Sequence, residues 1–169
     1  MRWSEITGGV VWAERVPADL IRTAFGFLRD PRWWIAGTVG LAVATGLRLA
    51  LPAAVAVSAL HRFEVWLSCV LWQPVLEEGV FRGLIQGELL RRRVMAARWL
   101  GISAANLITS VLFVALHFLH HPPLWALSVF APSLLFGWFR ERHRSVGAPM
   151  GLHILFNLEF FMVASLALR

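Results

Sequence analysis

Residues 65–90 read VWLSCVLWQPVLEEGVFRGLIQGELL and stop at Arg91-Arg92-Arg93. Crossing roughly 30 Å of hydrocarbon takes about 20 apolar residues in a helix, so this run is long enough to span a bilayer. Its middle carries Glu77, Glu78 and Arg82. A charge at that depth costs about 3 kcal/mol or more, and each such group needs a partner or a task.

The rest of the chain fits a membrane setting. Its 169 residues suit one domain. Apolar residues make up 58% and charged residues 15%, against about 45–50% and about 25% in soluble domains. This excludes a disordered chain and argues against an ordinary soluble globule. The net charge is +6, and all sixteen basic residues are arginine. They cluster between apolar runs without interleaved stacking aromatics, which fits membrane orientation and argues against nucleic-acid binding. The single Cys69 excludes an intrachain disulfide. Residues 1–15 lack a compact apolar core followed by a cleavage site, so internal spans are expected to direct insertion.

The expected architecture is all-α and polytopic: about five transmembrane helices preceded by an amphipathic interfacial helix. Residues 17–29 place Leu20, Ile21, Ala24, Phe25 and Leu28 on one face. Spans follow at 33–51, 65–90, 99–118, 124–139 and 149–168. Residues 1–32 form a cytoplasmic N-terminus and 33–169 the membrane domain. With the N-terminus inside, twelve arginines (at 2–32, 91–98 and 140–144) are cytoplasmic. Arg62 and Arg169 are outside, which sets an N-in, C-out topology.

Polar residues recur inside these spans. Glu78 and Arg82 are four apart, share a helical face and can neutralise each other. Glu77 is rotated about 100° away and needs its own explanation. Gly79 and Gly83 form a small-residue stripe suited to helix packing. The third span carries Phe113 and His117; the fifth carries His153 and Asn157, again four apart. A lone buried histidine is usually a satisfied core residue, and a His–Asn face can simply bond another helix. Together, a carboxylate, two imidazoles and a carboxamide form a set able to move a proton and hold an oxyanion. Ser103 and Asn106 are expected to make interhelical bonds, Glu159 to pair or line a cavity, and His61, His120 and His121 to be interfacial or solvated.

Three pieces resemble a family: EExxxR (Glu77, Glu78, Arg82), FxxxH (Phe113, His117) and HxxxN (His153, Asn157). Their order and spacing are similar to those of the CPBP intramembrane proteases, also called the CAAX protease or Abi family. Residues 145–157 (SVGAPMGLHILFN) look like that family's approach to its last motif. The likeness covers about 65–168. It implies a glutamic-type intramembrane endopeptidase acting on a membrane-anchored protein or C-terminal tail, within a prokaryotic cytoplasmic membrane. Glu77 would activate water with His117, His153 and Asn157 would stabilise the oxyanion, and Glu78 and Arg82 would support them. A water molecule is a poor nucleophile, and a carboxylate in a dry pocket is a stronger base than one in bulk water.

No cofactor is expected. Zinc is the alternative, with Glu77, His117 and His153 as a two-His, one-carboxylate site, although no HExxH helix is present. A different class of function is a non-catalytic member acting by binding, of the bacteriocin-immunity type. Oligomeric state is open. Depth is a strain on the convergence. Counted along ideal helices, Glu77 lies about 21 Å from Arg91 and Asn157 about 19 Å from Arg144, but His117 lies about 28 Å from Arg98 and His153 about 13 Å from Arg144.

Overall fold

A computed structural model describes residues 25–50 and 63–165. The expected amphipathic helix at 17–29 falls mostly outside the described residues, as do His61 and Arg62. What precedes the first long helix is a single 3-10 turn, Gly26–Arg29, with Phe27 buried.

The chain is mostly helical. Helix α1 spans Pro31–Ala50. Its start is set locally: Asp30 Oδ1 accepts the Arg32 N–H at 3.1 Å, and proline at the first position donates nothing that needs a partner. Helix α2 runs over 63–90 in five consecutive pieces. Two of them, Ser68–Trp72 and Gly79–Ile85, are widened to π turns. Next comes a β-hairpin, β1 Arg98–Trp99 with β2 Ile102–Ser103. Helix α3 spans Ala104–His117, α4 Pro123–Ser128, α5 Phe130–His143 and α6 Gly147–Ser165.

Three boundaries correct the expected spans. The helix expected as the third span begins at Ala104, not Trp99. Leu100 (φ 50°) and Gly101 (φ 84°) make a tight left-handed turn, and Ser103 caps α3 by accepting the Asn106 N–H at 2.9 Å. Leucine in that region costs about 1–2 kcal/mol. The fourth run breaks at Val129 between α4 and α5. Helix α5 then continues through the arginine cluster to Arg144, which takes a left-handed φ of 51° and ends it. Among the described residues one helix, Gly147–Ser165, which carries His153 and Asn157, is long and apolar enough to cross a membrane. The other two motif-bearing helices are interrupted (α2) or shorter (α3).

Burial is inverted relative to a soluble protein. Glu78, Arg82, Gln86, Thr109, Ser110 and Ser133 are fully buried, while Leu84, Leu107, Val111, Leu112 and Leu124 are exposed. Apolar groups outward and polar groups inward is what a hydrocarbon solvent selects. The apolar core is small: Phe27, Trp33, Ala36, Phe136, Phe139, Ala148 and Leu152. Trp33 Nε1–H donates to the Ala148 carbonyl at 3.0 Å, fixing α1 against α6.

The expected Gly79–Gly83 packing stripe is a further correction. A Cβ on Gly79 would meet nothing within 4 Å, and on Gly83 only ordinary contacts. Close helix approach occurs elsewhere. A Cβ at Gly137 would lie 1.9 Å from Asn106 Oδ1, and one at Gly40 would lie 2.5 Å from the Phe156 ring. Asn106 Nδ2–H donates to the Leu134 carbonyl at 2.9 Å, so α3 and α5 touch through an amide lying over a glycine.

Asp30 also ties the start of α1 to the end of α5. Arg142 Nε lies 2.5 Å from its Oδ2 and His143 Nε2 3.1 Å. The Arg142 hydrogen bond holds the carboxyl below the usual carboxylate range, against the opposing effect of its burial, with the Arg32 N–H helping. A carboxyl with a depressed folded pKa stabilises fully above its unfolded pKa of about 3.9 and loses that contribution as pH falls through the folded value. Unfolding midpoints measured from pH 7 to pH 3 should therefore fall below about pH 4 in the wild type. Asp30→Asn should lower the midpoint at pH 7, by about 1 kcal/mol, and remove this part of the acid sensitivity.

Candidate active site

The site is assembled from α2, α3, α5 and α6. Phe113, on α3 and 2% exposed, touches each motif. Its ring lies 4.5 Å from His117, 6.1 Å from His153 and 5.0 Å from Phe81. The Arg82 guanidinium sits over the same ring at 4.8 Å and over Phe136 at 5.7 Å. An aromatic face is a good neighbour for a guanidinium stripped of water.

Glu78 and Arg82 are both fully buried and form an ion pair at 3.2 Å, though not in good hydrogen-bond alignment. Both have further partners, although Arg82 Nη1 and Glu78 Oε2 make no hydrogen bond. Arg82 Nη2 donates to the Ser133 hydroxyl at 2.7 Å and to the Ser133 carbonyl at 2.9 Å. Glu78 Oε1 lies 2.9 Å from His153 Nδ1, so a proton on Nδ1 is held by a carboxylate. Glu78 thus orients His153 and leaves Nε2 for other use.

Glu77 is different. Its side chain keeps 28% of its exposure, and its carboxylate lies 3.9 Å from His153 Nε2. His117 and Arg82 are close enough to act on it electrostatically. His117 Nδ1 is 2.8 Å from the Phe113 carbonyl. With that nitrogen donating, Nε2 is a bare acceptor.

The depth conflict is resolved for His117: residues 98–103 are a hairpin and α3 begins at Ala104, so His117 lies about 20 Å along its helix and not about 28 Å. His153 meets the α2 motif directly, through the 2.9 Å contact of its Nδ1 with Glu78 Oε1. Phe113 links His117 to the same cluster.

Asn157 is engaged elsewhere: its Nδ2–H donates to the Cys69 carbonyl at 2.8 Å. The reason lies in α2. In the π turn Ser68–Trp72 the Gln73 N–H reaches back five residues to the Ser68 carbonyl. The next donor in that register belongs to residue 74, which is proline, so the Cys69 carbonyl has no helical partner. Asn157 supplies it. Asn157→Ala should lower stability by about 1–3 kcal/mol, the cost of a buried unpaired carbonyl. Adding Pro74→Ala, which restores an N–H, should recover much of that loss in a thermal-unfolding assay.

Sequence reasoning missed the outer support. Gln86 Nε2 donates to Glu141 Oε1 at 2.9 Å and to the Gly137 carbonyl at 3.1 Å. The Ser103 hydroxyl donates to Glu141 Oε1 at 2.6 Å, and Arg98 meets Oε2 at 2.6 Å. Gln86 lies four residues past Arg82 on the same face, which is the signal that was available. Glu159 Oε2 is buried without a hydrogen bond, close to Gly40. His120 and His121 are exposed, with His121 stacked 5.7 Å from His117.

Among the described residues no three His, Cys, Asp or Glu side chains are grouped to hold a metal ion. Glu77, His117 and His153, the set suggested for zinc, do not form such a group, although the contact of His153 Nδ1 with Glu78 leaves its Nε2 free.

No curated protein and no solved structure matches the chain. The family model of type II CAAX prenyl endopeptidase Rce1-like matches residues 59–158, which contain all three motifs and more than half of the sequence. The chain belongs to this membrane-embedded CAAX-protease family.

Proposed function

We propose that the chain is an intramembrane endopeptidase hydrolysing a peptide bond of a membrane-associated or C-terminally anchored protein. The observation that carries this reading is the contrast between neighbouring carboxylates. Glu78 is sealed, ion-paired with Arg82 and bonded to His153 Nδ1, whereas Glu77 is partly open beside His153. A structural role needs only the first.

In this reading Glu77 takes a proton from a water molecule, and the bare Nε2 of His117 accepts the water's other hydrogen and orients it. The hydroxide attacks the scissile carbonyl carbon. The carbonyl oxygen becomes an oxyanion, which His153 Nε2–H and the second Nδ2–H of Asn157 stabilise. His153 enters the cycle with both ring nitrogens protonated and keeps both protons throughout, with Glu78 balancing the charge. Glu77 returns its proton to the leaving amine as the C–N bond breaks. Glu78, Arg82 and Ser133 hold the helices in register. Chemistry by these groups requires no metal.

The substrate is a prenylated tail or a C-terminal sorting tail with an apolar helix and a basic end. The chain crosses the bilayer about five times, N-terminus inside, in a prokaryotic cytoplasmic membrane. Support for the topology comes from the convergence of arginine-rich ends through Asp30–Arg142 and Arg98–Glu141.

The test is accumulation of uncleaved membrane precursors in cells carrying Glu77→Gln or His117→Ala. Both variants should accumulate them. Normal processing in both would favour a member that acts by binding.

A further inference from the structure

The proteolytic reading uses one imidazole at the end of α3 and leaves its neighbour without a task. His117 is half-buried at the last position of α3, and His121 is exposed one turn further on. The backbone carries the helical register across that gap: the His121 N–H donates to the His117 carbonyl at 2.9 Å. The two side chains therefore share a face. Their rings lie nearly parallel, with 21° between planes and 5.7 Å between centroids.

That separation is close to what a shared ion requires. An imidazole nitrogen sits about 2.1 Å from bound zinc and about 1.1 Å from its own ring centre, so two rings on one tetrahedral ion have centres about 5 Å apart. Two histidines four apart on one helical face supply half a zinc site. Both rings are also held in place. His117 Nδ1 lies 2.8 Å from the Phe113 carbonyl, the kind of backbone bond that orients a metal-binding histidine with Nε2 outward. His121 packs 6.2 Å from Trp125, whose ring lies 5.2 Å from Phe160 on α6. Pro122 and Pro123 follow at once and stiffen the turn. No third His, Cys, Asp or Glu joins the pair among the described residues, so the other positions on the ion fall to solvent, which reaches exposed His121.

We infer that His117 and His121 form a two-imidazole site for zinc, and that its occupancy stops the enzyme. Imidazole favours zinc and its transition-metal neighbours over magnesium or calcium. The ion takes the lone pair of His117 Nε2, which in the proposed mechanism accepts a hydrogen of the attacking water. This site shares only His117 with the set suggested for catalytic zinc, and its effect has the opposite sign. The inhibition rests on the proteolytic reading; the binding does not.

The test uses the full chain in detergent micelles with zinc as the only added metal. Titrated against a chromophoric chelator, zinc should occupy one site per chain. His121→Ala should weaken that site by about tenfold or more, and His120→Ala should leave it unchanged. Because the His121 ring is exposed, the His121→Ala protein should unfold at the wild-type temperature. In cleavage of a membrane-anchored peptide, zinc should inhibit the wild type and a chelator should restore it. His121→Ala should cleave as the wild type does without zinc, and need about tenfold more zinc for half-inhibition. Zinc that raises cleavage would overturn the inference, as would binding or inhibition that His121→Ala leaves unchanged. Absence of cleavage in every preparation would count against the proteolytic reading alone, and the titration would still decide the site.

Discussion

Glu77→Gln should lower kcat/KM for cleavage of a membrane-anchored peptide by about a thousandfold or more, corresponding to ~4 kcal/mol of transition-state stabilisation. Glutamine has nearly the shape of glutamate but cannot take a proton from water. The substitution leaves the Glu78–Arg82–Ser133 cluster and the Glu78–His153 contact in place. The unfolding temperature should therefore stay close to that of the wild type. A loss of activity accompanied by a large loss of stability would instead make Glu77 a structural residue. The parallel Glu78→Gln variant should lose stability and activity together, because its side chain holds both Arg82 and His153. Two adjacent glutamates, one costing activity alone and the other activity and stability together, are the expected signature.

Arg82→Met should cost about 3–5 kcal/mol in unfolding experiments in detergent micelles, the scale of leaving a buried charge uncompensated. Methionine fills similar volume between Phe113 and Phe136, so the deficit is electrostatic and not a cavity. The double variant Arg82→Met with Glu78→Gln should recover part of the loss, because no uncompensated carboxylate then remains. The coupling between the two sites should exceed 1 kcal/mol, on the order expected for groups in one network. Additive losses would show that the two side chains do not work as a pair.

The helical class, the approximate position of each apolar segment and the three motif pieces were legible because each rests on local pattern. Apolar runs bounded by arginine clusters announce helices, and i, i+4 pairs such as Glu78–Arg82 and His153–Asn157 share a face whatever surrounds them. The family resemblance was legible for the same reason, since order and spacing are linear properties. What was hidden depends on backbone departures from the ideal helix. The π turns in α2 alter the phase of every residue beyond them, and the hairpin at 98–103 delays the start of α3, so depth counted at about 1.5 Å per residue from Arg98 misplaced His117. The bond from Asn157 to Cys69 follows from Pro74, yet only once the wider register is known. The Leu100–Gly101 turn carries a residue that turn chemistry disfavours, and it read as helix for that reason. Partners from other helices, such as Ser133 for Arg82 and Glu141 for Gln86, have no signature in linear order.

The account stands on Glu77 activating water without help from a metal. Its most direct test is a single-turnover cleavage of a membrane-anchored peptide by purified, exhaustively metal-stripped protein in vesicles made up in 18O-labelled water. The expected result is undiminished cleavage with one labelled oxygen in the new C-terminal carboxylate, and none with Glu77→Gln. Cleavage that disappears on stripping and returns only with added zinc would contradict it, as would equal cleavage by the two proteins.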